Sequence, residues 1–325
     1  MRVFENACVH RGSVLAVEPR RCRRNIVCPY HSWAYDLDGT LIRTPHAGGA
    51  GKHTPCDFDA KEFSLKEIRS ATWKGLVFVN ISATESDFAD FIGPLDERIG
   101  ELPADALVRD SPLSSTMCFN ANWKLVVENF VESYHVPPVH PELEKVNPMR
   151  MHYQILGGHS YLGQGGDSYT AGESEELAGL PRRPGGDTTS YEAFYLLPNL
   201  IIGPLPDFTF IIIINPTSPA TTSERIEILF YGNAALDDAL ADQRRSNSDF
   251  LTLINSQDIG ACEKVQQGRH CPGFNGGVFA LPQEATSLQF LRIVAARMCI
   301  GKDQTPQELI DLPVRDIRHQ EVSRS

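Results

Sequence analysis

The chain has 325 residues, 42% hydrophobic and 22% charged, with 41 acidic against 30 basic side chains and a formal net charge of −11. This composition suits an ordinary globular protein with two domains, or one large domain with an appendage, and its acidity argues against nucleic acid or an anionic membrane as partner. No apolar run is long enough to span a bilayer and the opening Met-Arg-Val-Phe-Glu-Asn lacks a signal peptide's apolar core, so a cytoplasmic protein is expected. There the eight cysteines, at 8, 22, 28, 56, 118, 262, 271 and 299, serve as ligands or buried thiols rather than disulfides.

Residues 1–60 are rich in Arg, Pro, Gly, Cys and His, and short extended stretches at Ile26–Cys28 and Trp33–Leu37 alternate with turns. Asp38-Gly39 is a hairpin signal. Phe63–Arg69 and Trp73–Ile81 read as strands, with Lys74-Gly75 a bulge or bend in the second. Together these predict a small β-domain of about 85 residues. Asp87–Ile99 is helical in pattern but interrupted at Gly93-Pro94. Ala121–Tyr134 is a stronger helix, because Trp123, Val126, Val127, Phe130 and Tyr134 recur at spacings of three and four. Pro137-Pro138 should end it. Residues 157–190 are rich in Gly, Ser, Asp and Pro and read as a long loop. Tyr191–Leu197, Phe208–Asn215 and Arg225–Tyr231 read as strands, Asp237–Lys264 and Glu284–Cys299 as helices, and the last ~20 residues as a fraying tail.

Two histidine-bearing patterns carry the chemistry. Cys8-Val9-His10 is followed after 17 residues by Cys28-Pro29-Tyr30-His31. Each pair offers one thiolate and one imidazole from a tight loop. A Rieske [2Fe–2S] centre needs two thiolates on one iron and two imidazoles on the other. A structural zinc site takes the same residue types, but its usual order is Cys-Cys then His-His. Cys22, between the pairs, has no partner at ligand spacing.

The second pattern runs from Glu128-Asn129-Phe130-Val131-Glu132-Ser133-Tyr134-His135 through Val-Pro-Pro-Val to His140-Pro141. Residues five apart lie about 140° apart on an ideal helix, so both imidazoles can meet one metal only if the proline pair breaks the helix between them. One carboxylate from elsewhere then completes a two-His, one-carboxylate triad, which leaves positions on Fe(II) open for oxygen and substrate. His46, His53, His152, His159, His270 and His319 lack such context and receive no role.

Cys8-Val-His-Arg-Gly and Cys28-Pro-Tyr-His-Ser-Trp-Ala-Tyr-Asp-Leu-Asp-Gly resemble the Rieske domain of ring-hydroxylating oxygenase large subunits, and Asn122-Trp-Lys through His140-Pro141 resembles that family's mononuclear-iron motif. The resemblance implies an α+β protein. An all-β Rieske domain (1–85) precedes a catalytic domain (86–325) whose antiparallel sheet is flanked by helices in a helix-grip-like manner. It implies Cys8, His10, Cys28 and His31 on the cluster and His135 and His140 on Fe(II). Asp258, in Asn255-Ser-Gln-Asp-Ile-Gly-Ala-Cys-Glu-Lys-Val-Gln-Gln-Gly, becomes the third iron ligand, with Glu263 the alternative; Gln257 stands where a second acid is often found.

By the same resemblance Glu132 and Asn129 are the catalytic candidates. Glu132, three before His135, is expected to accept a hydrogen bond from His135 and to meet His31 of the partner subunit, which implies a homo-oligomer, usually a trimer. Glu rather than Asp here resembles the branch acting on quaternary ammonium compounds. No Gly-x-Gly-x-x-Gly fingerprint is present, so electrons are expected from a separate NAD(P)H-dependent reductase or ferredoxin. The expected activity is O2-dependent hydroxylation or N-demethylation of a small molecule. Phe194, Tyr195, Phe208, Phe210 and Tyr231 are candidates for an aromatic cage around a methylated cation. An aromatic acid is the alternative substrate. A Rieske electron carrier and a zinc-stabilised binding module are the alternative functions. The cluster motif begins at residue 8, where family members usually carry a few dozen residues before it, so the first domain is expected to be short at its N-terminus.

Overall fold

The computed structural model describes all residues except 23, 54, 56, 57, 83–86, 101, 103–106, 168–189 and 299–325. The chain divides into two compact units, Met1–Asp90 and Phe91–Ser325.

The first unit holds two small antiparallel sheets. Strands β1 (Val3–Phe4), β5 (Glu67–Trp73) and β6 (Leu76–Asn80) form one, in the order β1-β5-β6, and β2 (Asn25–Val27), β3 (Ala34–Asp36) and β4 (Leu41–Arg43) form the other. The hairpin expected at Asp38-Gly39 joins β3 to β4. Asp36 Oδ1 accepts from the backbone N–H of Asp38 and Thr40, and Gly39 takes φ +85°. Cys8, Leu15, Cys28, Trp33, Tyr35, Leu41 and Leu65 make the buried core.

Two expectations change here. Trp73–Ile81 is not one strand: Lys74 and Gly75 have φ +46° and +80° and form the two-residue turn between β5 and β6. Two consecutive positive φ angles match the right-handed twist of a hairpin, which is why such a turn replaces a bulge. Phe63 belongs to a 3-10 turn over Ala60–Phe63, after which β5 begins at Glu67.

Helix α1 (Phe88–Ile99) runs through Gly93-Pro94 without interruption. Gly93 has no Cβ for the proline ring to strike, which relieves the usual pre-proline restriction, and Ile92, Leu95 and Ile99 bury one face.

The second unit is an eight-stranded antiparallel sheet covered by helices. Its strands are β7 (Leu107–Arg109), β8 (Ser115–Phe119), β9 (His152–Gly157), β10 (Tyr161–Gly166), β11 (Tyr191–Leu196), β12 (Leu200–Pro204), β13 (Phe208–Ser218) and β14 (Thr221–Tyr231). The order is β7-β14-β13-β12-β11-β10-β9, with β8 also on the β7 edge of β14. On β14 alternate residues from Thr222 to Phe230 are buried, a period of two that places one face against the helices. Helices α2 (Trp123–Phe130), α5 (Ala241–Gly268) and α6 (Leu281–Met298) close that core, which gathers Leu125, Val126, Val127, Cys262, Phe290 and Ile293 with Phe230 and Ile228. Two short helices, α3 (Val136–Val139) and α4 (Pro141–Val146), lie between α2 and β9.

Strand β10 lies inside the stretch read as a loop, and β9 and β12 were not anticipated. Gly163, Gly165 and Gly166 make β10 look like a loop, yet a Cβ at Gly163 or Gly165 would lie 2.5 Å or less from neighbouring atoms. The glycines are therefore close-approach residues of a strand. The remainder of that expected loop, 168–189, and the expected tail lie outside the described residues. None of the helices among the described residues is long and apolar enough to cross a membrane.

Candidate metal centres

In the first unit the two Cys/His segments fold into matching loops. Cys8 N–H donates to the Ser13 carbonyl and Gly12 N–H to the Cys8 carbonyl, each at 2.8 Å; Cys28 N–H donates to Trp33 (2.8 Å) and Ser32 N–H to Cys28 (3.1 Å). The fifth residue of each loop, counted from its cysteine, has positive φ, Gly12 at +71° and Ser32 at +58°. Backbone geometry alone therefore shapes both loops alike, although one histidine stands two residues after its cysteine and the other three. The cysteines are buried at 2% and 1% exposure, while His10 is exposed and His31 half-buried.

The His10 and His31 rings lie 4.7 Å apart, His10 stacks on Trp33 at 4.5 Å and His31 lies 3.8 Å from the Tyr30 ring. Burial opposes ionisation of Cys28, but N–H groups of Tyr30 and His31, with the Cys8 and Ser13 side chains, outweigh it and hold the thiol below its ordinary value. Loss of solvent, then His31 and Arg11, lower His10 and favour neutral imidazole. His31 Nδ1 is buried with no hydrogen-bond partner, an orphan that a metal would satisfy. Two thiols and two imidazoles on paired loops fit the donors of a Rieske cluster.

The second centre is assembled from distant segments. Asn122 caps α2 by accepting from Lys124 N–H. At the other end, Gln164 Nε2 donates to the Phe130 carbonyl, Thr286 Oγ1 to Val131 and Ser287 Oγ to Glu128. These side chains satisfy carbonyls a helix end leaves unpaired, so α2 stops at Phe130, four residues short of the expected Tyr134. Pro137-Pro138 do not end it; they sit inside α3, where proline is tolerated in a first turn. His135 is thus the residue before α3, and His140 joins α3 to α4.

His135, His140 and Asp258 each bring one ligand atom within 4.8 Å of the others. Asp258 Oδ1 lies 2.9 Å from His140 Nε2 and 3.5 Å from His135 Nε2. The far side of each ring is fixed. His135 Nδ1 meets Glu132 Oε1 at 2.5 Å. His140 Nδ1 meets Gln257 Oε1 at 2.8 Å, and Gln257 Nε2 donates in turn to Glu142 at 3.1 Å. A carboxylate and an amide oxygen only accept, so each Nδ1 carries its proton and each Nε2 presents a lone pair. Burial opposes charge on His140, but Asp258, then Gln257 and Glu142, outweigh it and raise its pKa. Two Nε2 lone pairs and a carboxylate converging at one point suit a divalent iron.

Glu132 is not a helical turn from His135, as the expected long helix required. It lies in the turn after α2, where its Oε2 accepts from the N–H of Tyr134 and of His135. Glu263 stays apart from the triad: its carboxylate accepts from Asn120 N and Nδ2 at 2.9 and 2.8 Å.

Beside the triad lies a cavity of about 140 Å³. Asn129, Phe130, Phe208, Phe210 and Phe250 line it, together with Asn147, His152, Gln164 and Tyr191. Of the five expected cage aromatics, only Phe208 and Phe210 line it. Tyr195 packs on Phe290 in the helix-side core, Tyr231 bonds Thr209 and the Leu205 carbonyl, and Phe194 packs on Tyr161. Sequence reasoning missed His152 and Gln164. Neither carried a readable signal: burial in β9 does not alternate, and half of β10 is glycine.

The model of the Rieske [2Fe–2S] domain matches residues 1–61, and that of the ring-hydroxylating alpha subunit (catalytic domain) matches residues 99–300. The carnitine monooxygenase oxygenase subunit of Escherichia coli is 27% identical over 281 residues, covering 85% of this chain and 70% of that protein. The glycine betaine monooxygenase oxygenase subunit of Pseudomonas aeruginosa is 38% identical over 145 residues, 45% of this chain and 32% of that protein. A crystal structure of a quaternary ammonium Rieske monooxygenase shares the fold, with a TM-score of 0.73 at 22% identity over 90% of this chain and 78% of its own. Oxygenases of this family work with a Rieske cluster, a mononuclear iron, a separate reductase and a small-molecule substrate. By a catalytic-domain match spanning more than half its length, in addition to the Rieske match, the chain belongs to the ring-hydroxylating oxygenase alpha-subunit family.

Proposed function

We propose that this oxygenase hydroxylates or N-demethylates a small N-methylated cation. The observation that carries the reading is the cavity: four phenyl rings, Phe130, Phe208, Phe210 and Phe250, line it together with Asp258, and no Lys or Arg is among the described lining residues. Aromatic faces and a carboxylate attract a methylated ammonium group, whereas an aromatic acid finds no counter-charge there. The names of the relatives point the same way.

In this reading Cys8, His10, Cys28 and His31 would hold the cluster, and His135, His140 and Asp258 the iron, within domains of residues 1–85 and 86–325. Bound, the cluster supplies single electrons and the iron supplies the site of oxygen reduction. The protein's own part is orientation. Glu132 and Gln257 keep each imidazole proton on Nδ1, and Asn129 flanks the substrate from α2. Phe208, Phe210 and Phe250 exclude water from the reacting end.

Glu132 Oε1 bonds His135 and has a second lone pair. That supports a bridging role toward His31 of the partner subunit in a homotrimer, with electrons entering from an NAD(P)H-dependent reductase or a ferredoxin. Oxygen uptake with reductase against a panel of N-methylated amines and aromatic acids tests the substrate class; uptake with aromatic acids alone would refute it. Glu132→Ala should keep both metal centres and lose turnover, and full steady-state activity would refute the bridge.

A further inference from the structure

The cavity has a second pole whose chemistry differs from the phenyl wall. His152 opens β9, and its register partner on β10 is Gly166; Gln164 projects from the same face of β10 two residues earlier. Asn147 closes α4. The corner these residues share is kept open by Gly166, since a Cβ there would come to 2.8 Å from Asn147 Oδ1 and 3.5 Å from His152 Cδ2. All three residues line the cavity.

Each of the three has one buried polar atom without a hydrogen-bond partner: Asn147 Oδ1, His152 Nδ1 and Gln164 Oε1. Their other ends fix what those atoms are. His152 Nε2 lies 3.0 Å from the Asn147 carbonyl. A carbonyl only accepts, so Nε2 carries the proton and Nδ1 of the neutral ring is an acceptor. Gln164 Nε2 donates to the Phe130 carbonyl at 2.8 Å, which leaves Oε1 as an acceptor. Asn147 Nδ2 donates to the Tyr191 hydroxyl at 2.6 Å, leaving Oδ1 likewise. Burial, against the pull of the Asn147 carbonyl and the Gln164 side chain, holds His152 below its ordinary pKa and keeps the ring neutral.

Three lone pairs share this corner with the Tyr191 hydroxyl and make it an acceptor-rich pole. A buried acceptor left unpaired is costly, so the occupant of this corner is selected for what it donates. We infer that Asn147, His152 and Gln164 are specificity-determining residues that select a substrate carrying an O–H or N–H donor on the side away from its oxidised methyl group. A carboxylate would set oxygen lone pairs against lone pairs there. The inference rests on the proposed cationic substrate class and narrows it to amino-alcohol-like or protonated-amine compounds rather than betaines.

The test is calorimetric binding to the holoenzyme, with oxygen uptake run in parallel. The ligands are pairs of equal charge, matched in size except that the N–H member lacks one methyl group. (2-Hydroxyethyl)trimethylammonium is set against propyltrimethylammonium for the hydroxyl, and dimethylpropylammonium against propyltrimethylammonium for the N–H. Benzyl alcohol against ethylbenzene is an uncharged pair, and trimethylglycine is the carboxylate arm. At least one donor-bearing member should bind about tenfold or more tighter than its isostere, and trimethylglycine should bind more weakly than either cation. In Gln164→Leu the ratio of binding constants within each pair should fall to about twofold or less, and Gln164→Glu should restore a preference for cationic donors. Equal binding within every pair, or tightest binding of trimethylglycine, overturns the acceptor pole while leaving the cationic reading standing. A preference confined to the uncharged pair, with all cations excluded, keeps the acceptor pole and overturns the cationic reading.

Discussion

The two histidine sites solve one positioning problem by opposite means. In the first unit the donors come from adjacent loops of six residues, and backbone hydrogen bonds with one positive-φ residue per loop set their geometry. In the second unit His140 and Asp258 stand 118 residues apart, and each imidazole is oriented by another side chain, Glu132 or Gln257. The first site therefore depends on conformations that the local chain allows. The second depends on chemical groups that a single substitution removes.

Substitutions can break that contrast. The largest effect is expected for Asp258→Ala, which should remove the mononuclear iron and abolish oxygen uptake while the cluster's visible spectrum persists; loss of both would show the sites to be coupled. Next is Glu224→Gln. Burial, then the nearby Asp258 charge, push the Glu224 carboxyl up to about 8, and Oε2 has no partner. The unfolded chain releases this proton near pH 4.5 and the folded chain holds it, so stability is undiminished below pH 4.5 and falls as pH rises toward 8. The amide should thus raise stability at pH 8 by up to about 5 kcal/mol and leave it unchanged at pH 4.5, read as melting temperature at both pH values.

A smaller effect is expected for Gln257→Leu, which removes the acceptor on His140. It should weaken iron binding about 10–100-fold, measured by competition with a chelator. The smallest is Gly12→Ala. No atom lies within 4 Å of the added Cβ, so only the φ of +71° opposes it; the cost should be about 1–2 kcal/mol. A null effect on cluster retention would remove the backbone from the account of the first site.

This contrast also sets what the sequence made legible. Cys8, His10, Cys28 and His31 could be read because short loops keep ligands close in the chain. His135 and His140 are legible from the motif, but the helix expected before them, Ala121–Tyr134, is four residues too long at its end. What stops α2 is Gln164, Thr286 and Ser287, which reach its last carbonyls from β10 and α6. No local pattern announces such a cap. Strand β10 was lost to its glycines, and with it Gln164 and the cavity corner. Asp258 carried a motif; His152 carried none, because its role comes from a register across the sheet.

The separation of His140 from Asp258 has one more consequence. A metal held by both is a cross-link, and it closes a chain segment that contains every strand from β9 to β14. The first site closes only about 20 residues between its cysteines. A tie across some 100 residues removes more freedom from the unfolded chain than one across 20, although the gain grows only as the logarithm of length. Iron in the second unit would thus be a fastener for six of the sheet's eight strands as well as a reagent, and its removal should soften that unit before it touches the first.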